Sequence, residues 1–411
     1  MGLRRRAAAT ALAAWAAAAC PSAQAAGMID VRSMGAIGDG QTDDTKAFVR
    51  AVEAARAKAT HVYVPKGTYR LAETLTLQGV GICGPDVGAW PADIQALPSI
   101  RPAYRDGPAF LLLAGGSLRG LDITYDWKGE PESGPPAVLI SGIGVYVSNM
   151  RIKYAWDGIL TDGVNNVGRL NIENVFMVSI RNVGVRVTGT WDVPRLSNIE
   201  VWNAGPVKHG MDRGIGFHLG KNDLIRITDC FVFAMHHGFL LEEHMEACEI
   251  EGGTWGLMNG CSTDYCPVGI EVRGRHTLSV AGGTFWEHQE SLIVDGAEAM
   301  VRISGSELKS NGAPAVVVKN ADNVVITGCS LLRPMDSFDP PAVVLNGGRT
   351  TLTGNHIESH GPGVTIGPKV SSAVISGNTI DAHGHAGIVD QHGEGSQVLI
   401  DGNLVLEQAA D

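Results

Sequence analysis

Between residues 157 and 273, carboxyls, histidines and arginines gather at the edges of short apolar runs. Asp157, Asp212, Arg213, His236 and His237 come just before such runs. Arg186, His218, Glu242, Glu271 and Arg273 lie within them at alternate positions, and Glu243 follows. Two chemistries fit these types. Hydrolysis of a glycosidic bond uses two carboxyls, about 5 Å apart for retention and about 6.5–9.5 Å apart for inversion. Asp212 with Glu242 is the favoured pair, with Glu243, Glu271 and Asp157 in reserve. His218 or His237 would tune an acid or hold a sugar hydroxyl. Elimination from a uronate instead needs a base at the C5 proton and a cation on the carboxylate. His237 would be that base, and Arg186, Arg213 and Arg273 the cations. Of the tryptophans nearby (Trp156, Trp191, Trp202, Trp255, Trp286), Trp156 and Trp286 are expected to stack on sugar rings, with Trp286 the best placed for exposure.

The elements that must position these residues are strands. Side chains alternate along a strand, so in Gly238-Phe239-Leu240-Leu241-Glu242 the residues Phe239 and Leu241 point in, and Leu240 and Glu242 point out. The same template recurs: a small residue, an apolar strand, a polar turn, a second apolar strand, then a bend with Gly or Asn. Its opening residue falls at Ala109, Ala137, Gly158, Gly184, Gly214 and Gly238, then at Gly269, Ser291, Ala315, Ala342, Gly363 and Gly387. Strands this short bury nothing alone, whereas stacked copies close a continuous core. The fold expected is all-β, a right-handed parallel β-helix of about 12 rungs over residues 107–406. Residues 26–82 would form the N-terminal cap and lead-in, and 26–411 one domain. Asp43 and Asp44 precede an amphipathic run from Thr45 to Lys58 and suit the N-terminus of a capping helix. Asn355, Asn378 and Asn403 follow Gly354, Gly377 and Gly402 and would stack as an amide ladder, with asparagine tolerating the left-handed bend.

Composition narrows the partners. The formal charge of −11 excludes a basic footprint for nucleic acid. Arg4 to Arg6, the apolar run Ala7 to Ala19 and Ala23-Gln24-Ala25 read as a cleavable leader over residues 1–25. A secreted or periplasmic protein is therefore expected. Cys20 supplies a rival lipid-attachment reading, without the large aliphatic that usually precedes such a cysteine. No stretch reaches the ~18 apolar residues that span a bilayer. Of the six later cysteines only Cys261 and Cys266 look paired; most of the others fall on rung positions and read as core thiols. No cofactor is implied, neither zinc nor calcium has a motif, and the chain would be a monomer or a homotrimer.

The run Gly35-Ala36-Ile37-Gly38-Asp39-Gly40, with Thr42-Asp43-Asp44-Thr45 and Val64-Pro65-Lys66-Gly67-Thr68-Tyr69, resembles the opening of the pectate-lyase-like superfamily. That group includes rhamnogalacturonases, polygalacturonase-like hydrolases, fungal β-1,3-glucanases and phage tailspikes. The resemblance implies a right-handed β-helix that acts on or binds polysaccharide. It does not choose the reaction. The polygalacturonase signatures Asn-Thr-Asp, Asp-Asp, Gly-His-Gly and Arg-Ile-Lys are not matched. The corresponding bends read Trp156-Asp157-Gly158, Asn182-Val183-Gly184, Asp212-Arg213-Gly214 and His236-His237-Gly238. The expectation is a polysaccharide-cleaving enzyme, hydrolase slightly ahead of lyase. A polymer epimerase and a non-catalytic glycan-binding solenoid are the alternatives.

Overall fold

The computed structural model describes residues 27–85, 87–88, 97–127, 131–203, 208–246, 248–334 and 340–406. The leader expected over residues 1–25 lies outside the described residues. Helix α1 (Thr45–Ala57) buries Ala47, Phe48, Ala51, Val52 and Ala55 against the first turns. Asp43 accepts from the Thr45 amide at 3.1 Å, while Asp44 turns back to accept from Ile37 N (2.7 Å) and Gly38 N (3.2 Å). Asp43 thus serves the helix N-terminus as expected, whereas Asp44 makes no side-chain cap bond and folds the lead-in instead.

Beyond the helix the chain winds as a parallel β-solenoid of about 14 turns. Two turns beyond the expected number come from the lead-in. Val62–Tyr63, Thr68–Leu71, Leu75–Leu77 and Gly81–Cys83 already pair in register with the turn above. They are only two to four residues long, and Thr74 stands where Ala109 opens the next turn, so the repeat template passes over them. Each full turn also carries three strands rather than two. The third follows the Gly-Asn bend, as Ser330–Arg333 and His356–Ser359 do.

Register explains the core. Val185, Phe217, Phe239, Ile270, Leu292, Val316, Val343 and Val364 occupy one position on successive turns, and all are fully buried. The rings of Phe217 and Phe239 stack 4.8 Å apart. Each buried aliphatic or phenyl group of this kind stabilises the fold by about 1.5–3 kcal/mol. The small residues opening these strands answer to packing rather than to a bend. A Cβ on Gly238 would stand 2.2 Å from the Thr263 methyl, and one on Gly158 2.3 Å from the Gly184 carbonyl.

The amide ladder forms. Asn355 Nδ2 donates to Asn378 Oδ1 (3.0 Å), and Asn378 Nδ2 to Asn403 Oδ1 (2.9 Å). The left-handed residue at this bend is the preceding glycine, with φ near 65° at Gly354 (66°), Gly377 (64°) and Gly402 (63°). The Cys261–Cys266 pairing does not form. Cys261 precedes and Cys266 ends the extended strand Ser262–Cys266, on the order of 15 Å apart, and both thiols are free in the core. Among the described residues no helix is long and apolar enough to cross a membrane.

Candidate functional site

Five strands of the first column frame the site: β1 (Val183–Val187), β2 (Ile215–Leu219), β3 (His237–Glu242), β4 (Val268–Arg273) and β5 (Leu292–Ser304). Pairing puts Arg186, His218, Leu240, Glu271 and Ile293 in one outward row. Glu242, Arg273 and Asp295 form a second row, one alternation further on. Leu240 and Ile293 face out yet are buried. The outward face is therefore a sheltered groove, where charges interact more strongly than on open surface.

A continuous chain of side chains crosses three turns in this groove. His236 Nδ1 lies 3.0 Å from His237 Nδ1, and His237 Nε2 lies 2.8 Å from Glu271 Oε2. Arg273 Nη2 donates to the same oxygen at 2.7 Å, while its Nη1 lies 3.3 Å from Glu242 Oε1. His218 Nε2 completes the chain, 3.0 Å from Glu242 Oε2. Alternation produces this arrangement: Glu271 and Arg273, two apart on β4, must share a face, and Glu242 stands beside Arg273 one turn below.

The two carboxylates are held ionised. Burial pushes Glu271 up, but the hydrogen bonds and charges of His237 and Arg273 outweigh it and bring it down to about 2. Glu242 is lowered chiefly by its bond to His218, then by the Arg273 charge, against burial. Glu271 in turn raises Arg273. Burial, then the neighbouring His237, lowers His236.

A third carboxyl behaves oppositely. Glu290 is half-buried just before β5, and its backbone carbonyl accepts from Gly269 N at 3.0 Å. Burial raises it above the usual carboxylate range, and the charge on Glu271 adds to the effect against Lys319. Sequence reasoning missed Glu290, although a signal was present. It precedes the opening residue Ser291 as His237 precedes Gly238, and the same rule applied one turn higher finds it.

Other expected residues fall elsewhere. Asp212 and Arg213 are exposed on the short helix α2 (Lys208–Arg213), where Asp212 acts electrostatically on His209 and His236. That places Asp212 at the His237 end of β3, while Glu242 closes the other end, roughly 16 Å away along the strand. The favoured Asp212–Glu242 pair is therefore not formed, because the helix carries the acid to the wrong side of the groove. Asp157 is buried and accepts from Val183 N and Asn182 Nδ2, both at 2.9 Å. Burial raises it to about 6 against those bonds, and it ties two turns together instead of facing the groove. Arg186 donates to the Thr161 carbonyl (2.9 Å). Glu243 turns away to bind Arg275, at 3.1 Å to Nη2 and 3.0 Å to its backbone amide. Trp156 is 7% exposed, its ring 4.7 Å from that of His209 beneath α2, so it offers no stacking face. Trp286 is 44% exposed as expected, with Lys309 Nζ 4.4 Å from its ring centre.

Among the described residues no three His, Cys, Asp or Glu side chains converge as a metal cage. The arrangement can donate a proton from a half-buried acid, accept one at an ionised carboxylate or a histidine, and neutralise an anion with Arg273.

Two family models match the chain. Residues 28–104 match rhamnogalacturonase A/epimerase, pectate lyase-like, and residues 268–410 match the right-handed β-helix region. No curated protein matches by sequence. Among solved structures, the tailspike of Escherichia coli bacteriophage HK620 superposes with a TM-score of 0.62 at 9% identity, covering 91% of this chain and 80% of its own. The catalytic unit of a GH87 α-1,3-glucanase from Streptomyces thermodiastaticus gives 0.53 at 18% identity, over 93% of this chain and 69% of its own. PfbA, a surface adhesin of Streptococcus pneumoniae, gives 0.52 at 11% identity over 89% of each chain. These likenesses establish the fold, shared by an enzyme, a tailspike and an adhesin alike. A pectate-lyase-like lead-in and right-handed β-helix turns thus stand in one chain, and its fold is a parallel β-helix.

Proposed function

We propose that the protein is an exported polysaccharide-cleaving enzyme, a glycoside hydrolase whose active groove is the outward face of β3, β4 and β5. One observation carries this reading: Glu271 is held ionised while Glu290, within its electrostatic reach, is pushed toward the protonated form. Carboxyls whose surroundings drive their protonation apart are what acid–base cleavage of an acetal requires. Glu290 donates its proton to the leaving glycosidic oxygen. Glu271 takes a proton from water, whose oxygen bonds the anomeric carbon as the old C–O bond breaks. Three residues along the strand and one turn across separate the two acids, about 11 Å between Cα atoms. An inverting reaction requires the two carboxyl groups themselves to stand about 6.5–9.5 Å apart. Arg273, Glu242 and His218 fix Glu271 and contact sugar hydroxyls.

Elimination or epimerisation at a uronate is the second reading. The contact of His237 with Glu271 favours it, with Arg273 beside them to neutralise a carboxylate. The leader expected over residues 1–25 supports export, and the model for rhamnogalacturonase A and epimerase relatives supports a glycan substrate.

The deciding experiment incubates the purified protein with a broad panel of polysaccharides. New reducing ends and the ultraviolet absorbance of unsaturated uronates are read in parallel. Hydrolysis gives reducing ends without absorbance, elimination gives both, and epimerisation changes sugar composition with neither. No change in any polymer sinks the enzymatic reading and leaves a binding solenoid, and full activity in Glu271→Gln removes Glu271 as the base.

A further inference from the structure

A second concavity lies one face round the solenoid from the carboxylate groove. It is a depression of about 380 Å³ on the second strand column, lined by Lys221, Asp223, Glu251, Trp255 and Arg275. Trp255, on the strand Thr254–Asn259, is 53% exposed, more than any other tryptophan described. About half of its indole therefore faces the depression and solvent. An exposed indole is a surface on which a sugar ring stacks through its C–H face.

The backbone holds this depression open. Gly252 takes φ +134°, and a Cβ there would press on the Lys221 side chain at 3.1 Å. A Cβ on Gly253 would stand 1.5 Å from the Arg275 carbonyl oxygen. Only a Gly-Gly corner lets the chain pass this close to the next turn, and the missing side chains keep the floor beside Trp255 low. Charges around the rim balance. Lys221 and Arg275 face Asp223 and Glu251, Arg275 is engaged by Glu243 at 3.1 Å, and Glu251 lies 3.2 Å from His244. The lining presents donors and acceptors in equal measure, which suits hydroxyls and not a carboxylate or sulfate. Arg275 is two residues beyond Arg273, at most about 8 Å between Cα atoms, so the depression opens beside the groove.

We propose that this depression is an accessory subsite for a neutral hexosyl unit of a polysaccharide. The indole of Trp255 lies under the ring, and Lys221 and Asp223 bond its hydroxyls. That the ligand belongs to the polymer acted on in the groove rests on the reading above; the site itself does not.

Affinity electrophoresis tests it. The full chain carrying Glu271→Gln, to prevent turnover, is run through gels containing a neutral glucan, a neutral galactomannan or polygalacturonate. At least one neutral polymer is expected to retard it. Adding Trp255→Ala should weaken that retardation about tenfold, and Trp255→Phe should restore part of it. Melting curves of both variants establish that they are folded. Retardation by polygalacturonate alone, by none of the polymers, or to the same degree with and without Trp255 overturns the subsite. A Trp255-dependent shift with no cleavage by the wild type leaves the subsite standing and removes the hydrolase; cleavage without such a shift does the reverse.

Discussion

Arg273 Nη2 lies 2.7 Å from Oε2 of Glu271, two residues before it on the same strand. The same guanidinium reaches Glu242 on the turn below at 3.3 Å, so one cation serves two carboxylates. Two neighbouring carboxylates repel, and without the arginine one of them would take up a proton. With it both stay ionised, and the proton donor must be another group, which is why Glu290 enters the proposal.

Arg273→Ala should therefore change protonation before it changes shape. Glu271 keeps His237 but loses its cation, and it regains repulsion from Glu242. Its carboxyl should rise from about 2 toward the ordinary range. The acid limb of the pH–rate profile should move up by about one pH unit or more. An unchanged acid limb would show that Glu271 is not the group that must be ionised.

Glu271→Gln and Glu290→Gln should each lower the turnover rate by about 10²–10⁴-fold. Asp212→Asn should leave it within a factor of about two, because α2 holds that acid at the far end of the strand from Glu242. Reducing-end release, measured with folding verified by circular dichroism, separates the sets. A crippled Asp212→Asn with an active Glu290→Gln would return the proton donor to the helix.

The contrast between these residues shows what the sequence could convey. Rung positions were legible because each turn repeats the same steric demand, whether a small residue where a Cβ would strike the third strand or glycine at the left-handed bend. Alternation likewise predicted that Glu242, Glu271, Arg273 and His218 share a face. What pattern could not supply was geometry outside the rungs. Asp212 precedes Gly214 as closely as His236 precedes Gly238, yet a six-residue helix lifts it away. Trp156 and Trp286 look alike in composition, and only the packing of His209 separates a buried ring from an exposed one. The short lead-in turns were missed because their strands are only two to four residues long and Thr74 stands where Ala109 opens the next turn.

Glu287 offers a test of burial itself. It is buried in the third column, with Oε2 accepting from Cys266 N at 3.1 Å and Oε1 from the Thr263 hydroxyl, and burial raises it to about 8. A carboxyl with a folded value above its unfolded 4.5 stays protonated in the fold. The stability this contributes is complete below about pH 4.5 and is lost as pH rises through about 8. The difference corresponds to a penalty on the order of 5 kcal/mol at the alkaline end. Glu287→Gln cannot titrate, so its melting temperature should fall less than that of the wild type between pH 5 and pH 8. Parallel melting curves across that interval would show that water reaches this carboxylate in the folded state.

The amide ladder should respond by position. Asn378 sits inside it: its Oδ1 accepts from both Asn355 N (2.9 Å) and Asn355 Nδ2 (3.0 Å), and its Nδ2 donates to the Leu352 carbonyl (3.0 Å) and to Asn403. Asn378→Ala removes all four bonds and strands the Asn355 amide and the Leu352 carbonyl away from water. Each buried orphan costs about 1–3 kcal/mol, so a loss of about 2–5 kcal/mol is expected. Asn403, at the last turn, is less buried and has no described turn above it. Water can replace its lost partners, and Asn403→Ala should cost about half as much or less. Urea unfolding of the two variants measures both numbers. Equal losses would mean that the final turn is sealed in solution, by a second copy or by another surface over Leu399, Leu404 and Leu406, which this structure leaves exposed.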